Sequence, residues 1–288
     1  MYEILEAGPF AAPVLIAAFE GWVSAGSVGT RTALHTADDG PVAAVFNPDA
    51  LYDYRVTRPT VDFVGGAMQA IEWPEMAVRR RRIGDRDLLV LTGAEPNWRW
   101  KEFGAAVADL AAALGVVELI SLGGIPWAAP HTRPTSVVTT ASRPDLIAED
   151  ENYPDGLLRV PAAAVNVVER SLVDQGIPAV GFWARVPHYV GGVYYPGVVT
   201  LVERISRHAG VPIPLGSLVD EAAEQRRRLD EAIAERPETV ALVERLEALA
   251  DAQGEVASGE EIAAEIERFL RDATGGEEPF PGDRPETP

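Results

Sequence analysis

Short apolar runs alternate along this chain with longer segments in which apolar residues recur at helical spacing. The runs predict strands over residues 14–19, 42–46, 76–82, 87–92, 116–122, 136–140 and 177–183. The longer segments predict helices over residues 25–36, 98–114, 160–175 and 197–208. The strands 76–82 and 87–92 form a predicted hairpin around Gly84 and Asp85. Because the other strands alternate with helices, we expect an α/β domain of three α/β/α layers around a mainly parallel mixed sheet.

Two segments depart from this alternation. Residues 47–60 are rich in Pro, Asp, Tyr and Arg without a clear period, which predicts a long ordered loop with a functional or interface role. Beyond Pro214 the composition changes to Ala, Glu, Arg and Leu at helical spacing. We therefore expect an α/β domain over residues 1–214, a helical appendage over 215–273 and a disordered tail over 274–288.

The appendage has apolar stripes that need a cover. Its first two helices carry the stripes Leu218, Ala222, Leu229 and Ile233, and then Val240, Val243, Leu246 and Leu249. A third helix is predicted over residues 259–271. The stripes can pack on the α/β domain of the same chain, on a neighbouring subunit, or on a partner protein.

Composition narrows the classes of function. The chain has 288 residues, of which 44 are acidic and 25 are Lys or Arg, giving a formal net charge of −19. This charge argues against nucleic acid and anionic membranes as partners. The basic run at residues 79–82 is interpreted as the exposed face and end of a strand. Because the chain has neither a long apolar run nor a basic secretory start, we expect a cytoplasmic protein.

The residue types also limit the chemistry. Without cysteine, the chain cannot form disulfides, thiolate zinc sites or cysteine nucleophiles. Its four histidines are His35, His131, His188 and His208. None of them forms a pair at a metal-binding spacing, so we expect neither a metal site nor a cofactor.

Polar residues follow several of the predicted strand ends. These residues are Glu95, His131, Arg133 and His188, with Gly123 and Gly124 at the end of one strand. Because open α/β sheets place ligands at the carboxyl ends of their strands, these side chains are candidates for binding a polar or anionic small molecule. The alternatives are an internal hydrogen-bond network between loops and a subunit contact around Pro130 and Pro134.

The turn between the first predicted strand and helix is a second candidate. It contains Glu20, Gly21, Trp22 and Ser24. Free N–H groups at a helix start can hold an anion, although the segment lacks a P-loop lysine and a Gly-x-Gly-x-x-Gly spacing. The alternative is a tight turn with Ser24 as N-cap. A hydrolase would use Ser24 as nucleophile with His131 or His188, but Trp22 stands where a nucleophile elbow needs glycine.

The ordered motifs of the chain resemble those of a known family. They lie at residues 19–26 (FEGWVSAG), 51–59 (LYDYRVTRP), 91–103 (LTGAEPNWRWKEF), 122–135 (LGGIPWAAPHTRPT) and 184–192 (ARVPHYVGG). Over about residues 16–210 the chain is thereby similar to the proteasome assembly chaperone 2 family, in particular to its bacterial, actinobacterial-type branch. Members commonly have aspartate where this chain has Ser24, so that position departs from the pattern.

The resemblance implies a three-layer α/β fold similar to that of purine nucleoside phosphorylases and related hydrolases. It also implies self-association as a trimer and a non-catalytic role in protein assembly, with proteasome subunits as partners. Eukaryotic and archaeal relatives can dock through a C-terminal hydrophobic-Tyr-any tripeptide. Since this chain ends Arg284-Pro-Glu-Thr-Pro288, we do not expect docking by that route.

A small-molecule binder or an enzyme is the rival interpretation. A nucleoside phosphorylase or hydrolase of this fold would need a phosphate site and a carboxylate that recognises the purine. Arg133 and Glu95 are the candidates for these roles. Similarity of fold does not by itself carry over a reaction.

Overall fold

An eight-stranded mixed sheet forms the centre of the computed structural model, which describes residues 1–154 and 156–252. Its strand order is β1-β3-β6-β7-β2-β8-β10-β9, and β4 and β5 form a separate two-stranded sheet. The strands are β1 Tyr2–Ile4, β2 Val14–Glu20, β3 Val42–Phe46, β4 Thr60–Val64, β5 Ala67–Glu72, β6 Met76–Ile83, β7 Arg86–Ala94, β8 Glu118–Trp127, β9 Val137–Ala141 and β10 Ala179–Pro187.

Helices cover both faces of the central sheet. They are α1 Val28–Ala37, α2 Trp100–Ala113, α3 Ala164–Asp174, α4 Tyr195–Ala209, α5 Leu218–Ala234 and α6 Pro237–Ala252. On one face, Leu89 and Leu119 pack in a buried cluster with α2 and α3. On the other face, Ile16 and Val90 pack in a cluster with α1 and α4. The predicted three-layer α/β/α architecture is confirmed.

The four central strands define where a site can form. β2 is parallel to both β7 and β8, and β10 is parallel to β8. β1, β3, β6 and β9 join the sheet through antiparallel pairs. The carboxyl ends of β7, β2, β8 and β10 therefore meet at one edge, called here the carboxyl edge.

Two helices begin later than predicted. Residues Ala25–Ser27 form a 3₁₀ turn in which Gly26 has φ 59°, so that α1 begins at Val28 instead of residue 25. α3, predicted from residue 160, begins at Ala164. Glu20 contacts the start of α1 and Glu95 contacts the start of α3. The local sequence of each helix does not show these contacts.

β8 and its partner β10 run well past their predicted ends. β8 continues through Gly123 and Gly124 to Trp127, because β10 pairs with it over that whole length. Gly123 lies directly opposite Trp183. A Cβ atom on Gly123 would be 2.7 Å from the Trp183 ring, so glycine is required for the close packing rather than for ending the strand.

The sequence analysis did not predict the hairpin formed by β4 and β5. It follows the loop predicted over residues 47–60, where the structure has only a short 3₁₀ turn, Pro48–Ala50. Gly65 and Gly66 connect the two strands, both with positive φ. This hairpin is called the ribbon below, and it comprises residues 60–72.

The two helices expected after Pro214 are present as α5 and α6, called here the arm. α5 packs on α4, where the side chain of Gln225 accepts a hydrogen bond from Tyr195 N (2.9 Å) and donates one to Val193 O (2.5 Å). The arm therefore covers its own α/β layer. The helix predicted over 259–271 and the tail predicted over 274–288 lie outside the described residues.

Candidate functional site

The carboxyl edge carries the polar residues that the sequence analysis selected, and the structure divides them into two clusters. Glu20, Gly21, Trp22, Ser24 and Glu95 surround the starts of α1 and α3. His131, Arg133 and His188 lie beside the arm or beside Tyr189. Gly123 and Gly124 lie in β8, and Gly124 N donates to Val23 O of the first cluster (2.8 Å).

Glu95 follows β7 and joins three segments of backbone. Its Oε1 accepts from Ala164 N at the start of α3 (2.7 Å), and its Oε2 accepts from Trp22 N (3.2 Å). Its own N–H donates to Glu20 O (2.8 Å). A negative charge at a helix start is favourable, because the first N–H groups of the helix lack intrahelical acceptors. Both oxygens of Glu95 are thus used within the chain.

Gly21 makes the approach of Glu95 possible. A Cβ atom at position 21 would lie 2.5 Å from both Cβ and Oε2 of Glu95, closer than real Cβ contacts allow. The glycine at this position therefore serves close packing between the β2 and β7 ends.

The start of α1 has an acidic side chain beside it. Oε2 of Glu20 accepts from the Thr30 hydroxyl (2.8 Å), and its Oε1 lies 3.3 Å from the Ser27 hydroxyl. A carboxylate of the chain therefore occupies the region where the turn was expected to hold an external anion.

Ser24 is neither an N-cap by its side chain nor a free nucleophile. Its hydroxyl donates backwards to Gly21 O (2.6 Å), and no hydrogen bond runs from it to the following turn. The predicted side-chain cap is wrong, because the Ser24 hydroxyl bonds to Gly21 O and not to an N–H group of the following 3₁₀ turn. No His ring is hydrogen-bonded to this hydroxyl within the described residues.

His131 lies in the second cluster and is buried, with 4% of its surface exposed. Its Nδ1 lies 2.8 Å from the Tyr189 hydroxyl, and its Nε2 lies 3.0 Å from Asp230 Oδ1 on α5. Because a carboxylate can only accept, Nε2 carries a proton and donates to Asp230. The Tyr189 hydroxyl also accepts from His131 N (2.8 Å), and burial raises the pKa of Tyr189 to about 12. His131 thus links the loop after β8 to the arm.

Arg133 is paired with two carboxylates of α6. Its Nε and one terminal nitrogen donate to the two oxygens of Asp251 (2.9 and 2.7 Å), and its other terminal nitrogen donates to Glu247 (3.2 Å). Hydrogen bonding to Asp251 raises the pKa of Arg133 and lowers the pKa of Asp251. Glu247 also accepts from the Thr132 hydroxyl. The guanidinium that was a candidate phosphate ligand already holds carboxylates of the same chain.

His188 contributes to the same region through ring packing. Its ring meets the ring of Tyr189 edge to face, with 5.5 Å between centroids, and Tyr189 in turn meets His131 at 5.8 Å. Tyr189 therefore brings the rings of His131 and His188 into one region. Glu95 is separate from them, since its hydrogen bonds go to Trp22, Ala164 and Glu20.

A partly buried acid that the sequence analysis missed, Glu169, lies on α3. Burial raises the pKa of Glu169, while a hydrogen bond from Asn166 Nδ2 (3.0 Å) acts in the opposite direction. Helical spacing identified α3 as amphipathic but did not distinguish this carboxyl group from the exposed carboxyl group of Asp174 on the same helix.

The basic run at residues 79–82 is part of β6, and its charges are paired. Arg80 and Arg82 both contact the inaccessible carboxylate of Asp87, at 2.9 and 3.3 Å. Arg79 pairs with Glu75 and Arg81 pairs with Asp38. The run is therefore neutralised within the chain.

Three further features bear on ligands and membranes. An open pocket of about 390 Å³ lies between α4 and α5 and is lined by Tyr195, Glu221, Glu224, Gln225, Arg228 and Leu229, none of which was a candidate. In residues 1–154 and 156–252, no group of three or more His, Asp or Glu side chains is placed to hold a metal ion. The helices in that part of the chain are too short or too polar to cross a membrane.

The main surface feature that the sequence analysis missed is the ribbon. Every residue from Thr60 to Trp73 is exposed, including Val61, Phe63, Met68 and Ile71. The available signal was the two-glycine turn Gly65-Gly66 between two β-prone runs, which is a strong indication of a hairpin.

Comparison with known proteins finds solved structures with a similar fold and about one-third sequence identity. A Mycobacterium tuberculosis protein of unknown function has a solved structure with a TM-score of 0.84 and 32% identity, covering 94% of this chain and 96% of its own. A PAC2 family protein from Streptomyces avermitilis has a TM-score of 0.72 and 33% identity, covering 80% and 99%.

A third solved structure is that of a proteasome-assembly chaperone homologue from Mycobacterium tuberculosis. Its TM-score is 0.73 and its identity 32%, with coverage of 80% of this chain and 99% of the homologue. No curated protein matches the sequence. The model of the PAC2 family matches residues 18–233. The chain therefore belongs to the PAC2 family.

Proposed function

We propose that this protein is a non-catalytic assembly factor of the proteasome-assembly chaperone type and acts in the cytoplasm. It binds proteasome subunits and forms a homo-oligomer, a trimer. The observation that carries the proposal is the contrast between two surfaces. The polar groups of the carboxyl edge are paired within the chain, whereas large apolar side chains of the ribbon are exposed.

The pairing at the carboxyl edge argues against catalysis there. A catalytic acid, base or phosphate clamp needs a free hydrogen-bonding position directed at substrate. Both oxygens of Glu95 accept from backbone N–H groups, and the fork of Arg133 is occupied by Asp251 and Glu247. A substrate would first have to displace these contacts.

The exposed apolar surface argues for binding to another protein. Contiguous apolar patches on the surface of soluble proteins mark interaction sites. The ribbon presents such a patch at the side of the molecule where β3 ends and β6 begins. The homologue from Mycobacterium tuberculosis whose title names proteasome assembly is 32% identical over 80% of the chain, which supports proteasome subunits as the partner class.

The test is reconstitution with proteasome subunits from the same organism. The purified protein is mixed with separately expressed α-type and β-type subunits, and complexes are separated by size-exclusion chromatography. We expect a complex with at least one subunit type and faster formation of subunit rings. Arg133→Gln is expected to retain both properties, because Arg133 only contacts the arm.

Two results together would overturn the proposal. One is the absence of any complex with either subunit type. The other is a metabolite that remains bound in native mass spectrometry of the purified protein and is lost in Arg133→Gln. That pair of results would favour the rival, a nucleoside phosphorylase-like or hydrolase-like protein with its pocket at the strand ends.

A further inference from the structure

Glu95 holds three segments of the carboxyl edge together, and each segment carries an exposed apolar side chain. Its Oε2 accepts from Trp22 N (3.2 Å) and its Oε1 accepts from Ala164 N (2.7 Å). Trp22 itself is 42% exposed, and Trp98, which follows Glu95 in the next loop, is 43% exposed. Val160, one turn of chain before Ala164, is 38% exposed. These side chains therefore lie around one fixed point of the carboxyl edge.

The exposed side chains form a patch large enough for a short peptide segment. Leu157, on the same segment as Val160, adds an apolar side chain that is 78% exposed. Together the patch exposes roughly 400 Å² of apolar area, within the range of the largest and often functional patch on a typical monomer. A standard interface buries about 800 Å² on each partner, so this area fits a short segment rather than a whole domain face. The patch, called here the rim patch, comprises Trp22, Trp98, Leu157 and Val160.

Hydrogen bonds fix the loop that carries Trp98. Asn97 N donates to Leu51 O (3.0 Å), and Trp100 Nε1 donates to Pro96 O (2.6 Å). A preorganised surface loses little conformational entropy when a partner binds, and Trp is among the residues that contribute most to the affinity of protein interfaces. A partly exposed Trp side chain on a fixed loop therefore has the properties of a binding anchor.

Two cations flank the rim patch and indicate the charge of its occupant. Lys101 lies one helical turn after Trp98, and Arg159 directly precedes Val160. Both are exposed, and neither makes an ion pair or a hydrogen bond with the part of the chain that the structure describes. The basic run at residues 79–82, in contrast, is neutralised by acids of the same chain. Lys101 and Arg159 are therefore available to pair with carboxylates of a partner at the border of an apolar contact.

We infer that the rim patch is a docking surface for a short apolar segment flanked by acidic side chains, carried by the proteasome subunit that the proposed function assigns as partner. The apolar side chains of that segment pack on Trp22 and Trp98, and its carboxylates pair with Lys101 and Arg159. The inference rests on the proposed function and names the surface through which the subunit is bound.

The apolar part of the contact is tested at Trp22. Trp22→Ser removes the ring but keeps the N–H group that donates to Glu95. We expect about tenfold weaker binding to the α-type or β-type subunit, measured by biolayer interferometry. Val117→Ser is the matched control, because Val117 is 46% exposed but lies just before β8, at the opposite edge of the sheet. The affinity of this control should stay within about twofold of wild type.

The charged part of the contact is tested at Lys101. We expect Lys101→Glu to weaken subunit binding about tenfold, because it places a negative charge opposite the carboxylates of the partner segment. Arg245→Glu on α6 is the matched control, since Arg245 is also exposed and makes no ion pair with the described residues. Both variants change the net charge equally, so a difference between them reports the position of the charge. Circular dichroism and the melting temperature should stay close to wild type in both.

Lys101 is the only lysine of the chain, which gives an independent readout on the unmodified sequence. The N-hydroxysuccinimide ester of acetic acid acetylates amines, so Lys101 is the single side-chain target. We expect its acetylation, followed by mass spectrometry, to be about tenfold slower in the subunit complex than in the free protein, because a docked segment excludes solvent. The amino group of Met1, beside the outer strand β1, is the internal reference and should react equally fast in both.

Three results would overturn the inference and leave the proposed function intact. They are a subunit affinity that is unchanged in Trp22→Ser or in Lys101→Glu, equal acetylation of Lys101 in the free and bound protein, and loss of the wild-type oligomer in Trp22→Ser. The last result would show that a second copy of the chain covers the rim patch. Failure of the proposed function is distinguishable, because the wild-type chain would then bind neither subunit type, and the inference would fail with it.

Discussion

At the scale of single residues, Gly21 and Glu95 form a tightly packed pair at the carboxyl edge. Gly21→Ala would place a methyl group 2.5 Å from Glu95 Cβ and Oε2. The carboxylate would have to leave Trp22 N or Ala164 N, which removes the acceptor at the start of α3. We expect a loss of about 1–3 kcal/mol in the free energy of unfolding, the usual cost of overpacking, measured by urea denaturation.

Gly191→Ala is the matched control for this prediction. No atom lies within 4 Å of a Cβ built on Gly191, and its φ is not in the left-handed region. We expect this substitution to change stability by no more than about 0.5 kcal/mol. Equal effects at the two positions would show that the close approach at Gly21 does not matter.

The candidate site residues show which features of a site can be predicted from the sequence and which cannot. Glu95, His131, Arg133 and His188 could be selected because they follow apolar runs, and the structure does place them at the carboxyl edge. Their partners could not be selected. Asp230 and Asp251 are about a hundred residues away in the chain and look like ordinary solvated acids on a helix.

At the scale of secondary-structure elements, the arm is held mainly by buried apolar side chains. Leu246 on α6 is 4% exposed, whereas Leu249 on the same helix is 42% exposed. We expect Leu246→Ala to cost about 2 kcal/mol for local opening, which corresponds to about thirtyfold faster amide exchange over residues 237–252. Leu249→Ala is the control and should change the exchange rate less than twofold.

Arg133→Gln separates the ionic contribution from the apolar one. The ion pair of Arg133 with Asp251 is largely exposed and the one with Glu247 is only partly buried, and pairs that remain in contact with solvent contribute little to stability. The exchange of α6 in this variant should therefore lie close to wild type, with the remaining difference disappearing at high salt. If Arg133→Gln opened the arm as much as Leu246→Ala, the ion pairs would be the main contact.

Helices and strands were predictable where the hydrophobic periodicity and the turn-forming residues Gly and Pro indicate the same boundaries. Most of the strands in the central sheet, and the helices between them, were predicted, because each buries an apolar run or stripe. Strand ends were less predictable, since Gly123 and Gly124 indicate a stop when β10 in fact continues the pairing past them. The ribbon was missed because its apolar residues alternate only after the register shift between Asp62 and Phe63 is known.

At the scale of the whole molecule, the net charge of −19 opposes contact between copies over most of the surface. The apolar face of the ribbon, formed by Val61, Phe63, Met68 and Ile71, carries no charge. The resemblance of the ordered motifs predicted the family and therefore the fold. The net charge, in contrast, does not show which part of the surface is uncharged. That required the cross-strand register of β4 and β5, which places Asp62 and Glu72 away from the apolar face. The distribution of charge, together with the exposed apolar area, is what distinguishes the ribbon from the rest of the surface.

This distribution predicts how the proposed homo-oligomer should depend on salt. Raising NaCl from 10 to 150 mM shortens the Debye length from about 30 to about 8 Å, which screens repulsion between the acidic surfaces of neighbouring copies. The apolar contact itself does not depend on screening, so the association constant should rise severalfold in sedimentation equilibrium. Phe63→Asp places a charge on the apolar face and should lower the association constant at both salt concentrations. An association constant that falls with salt would mean that ion pairs, and not the apolar face of the ribbon, hold the copies together.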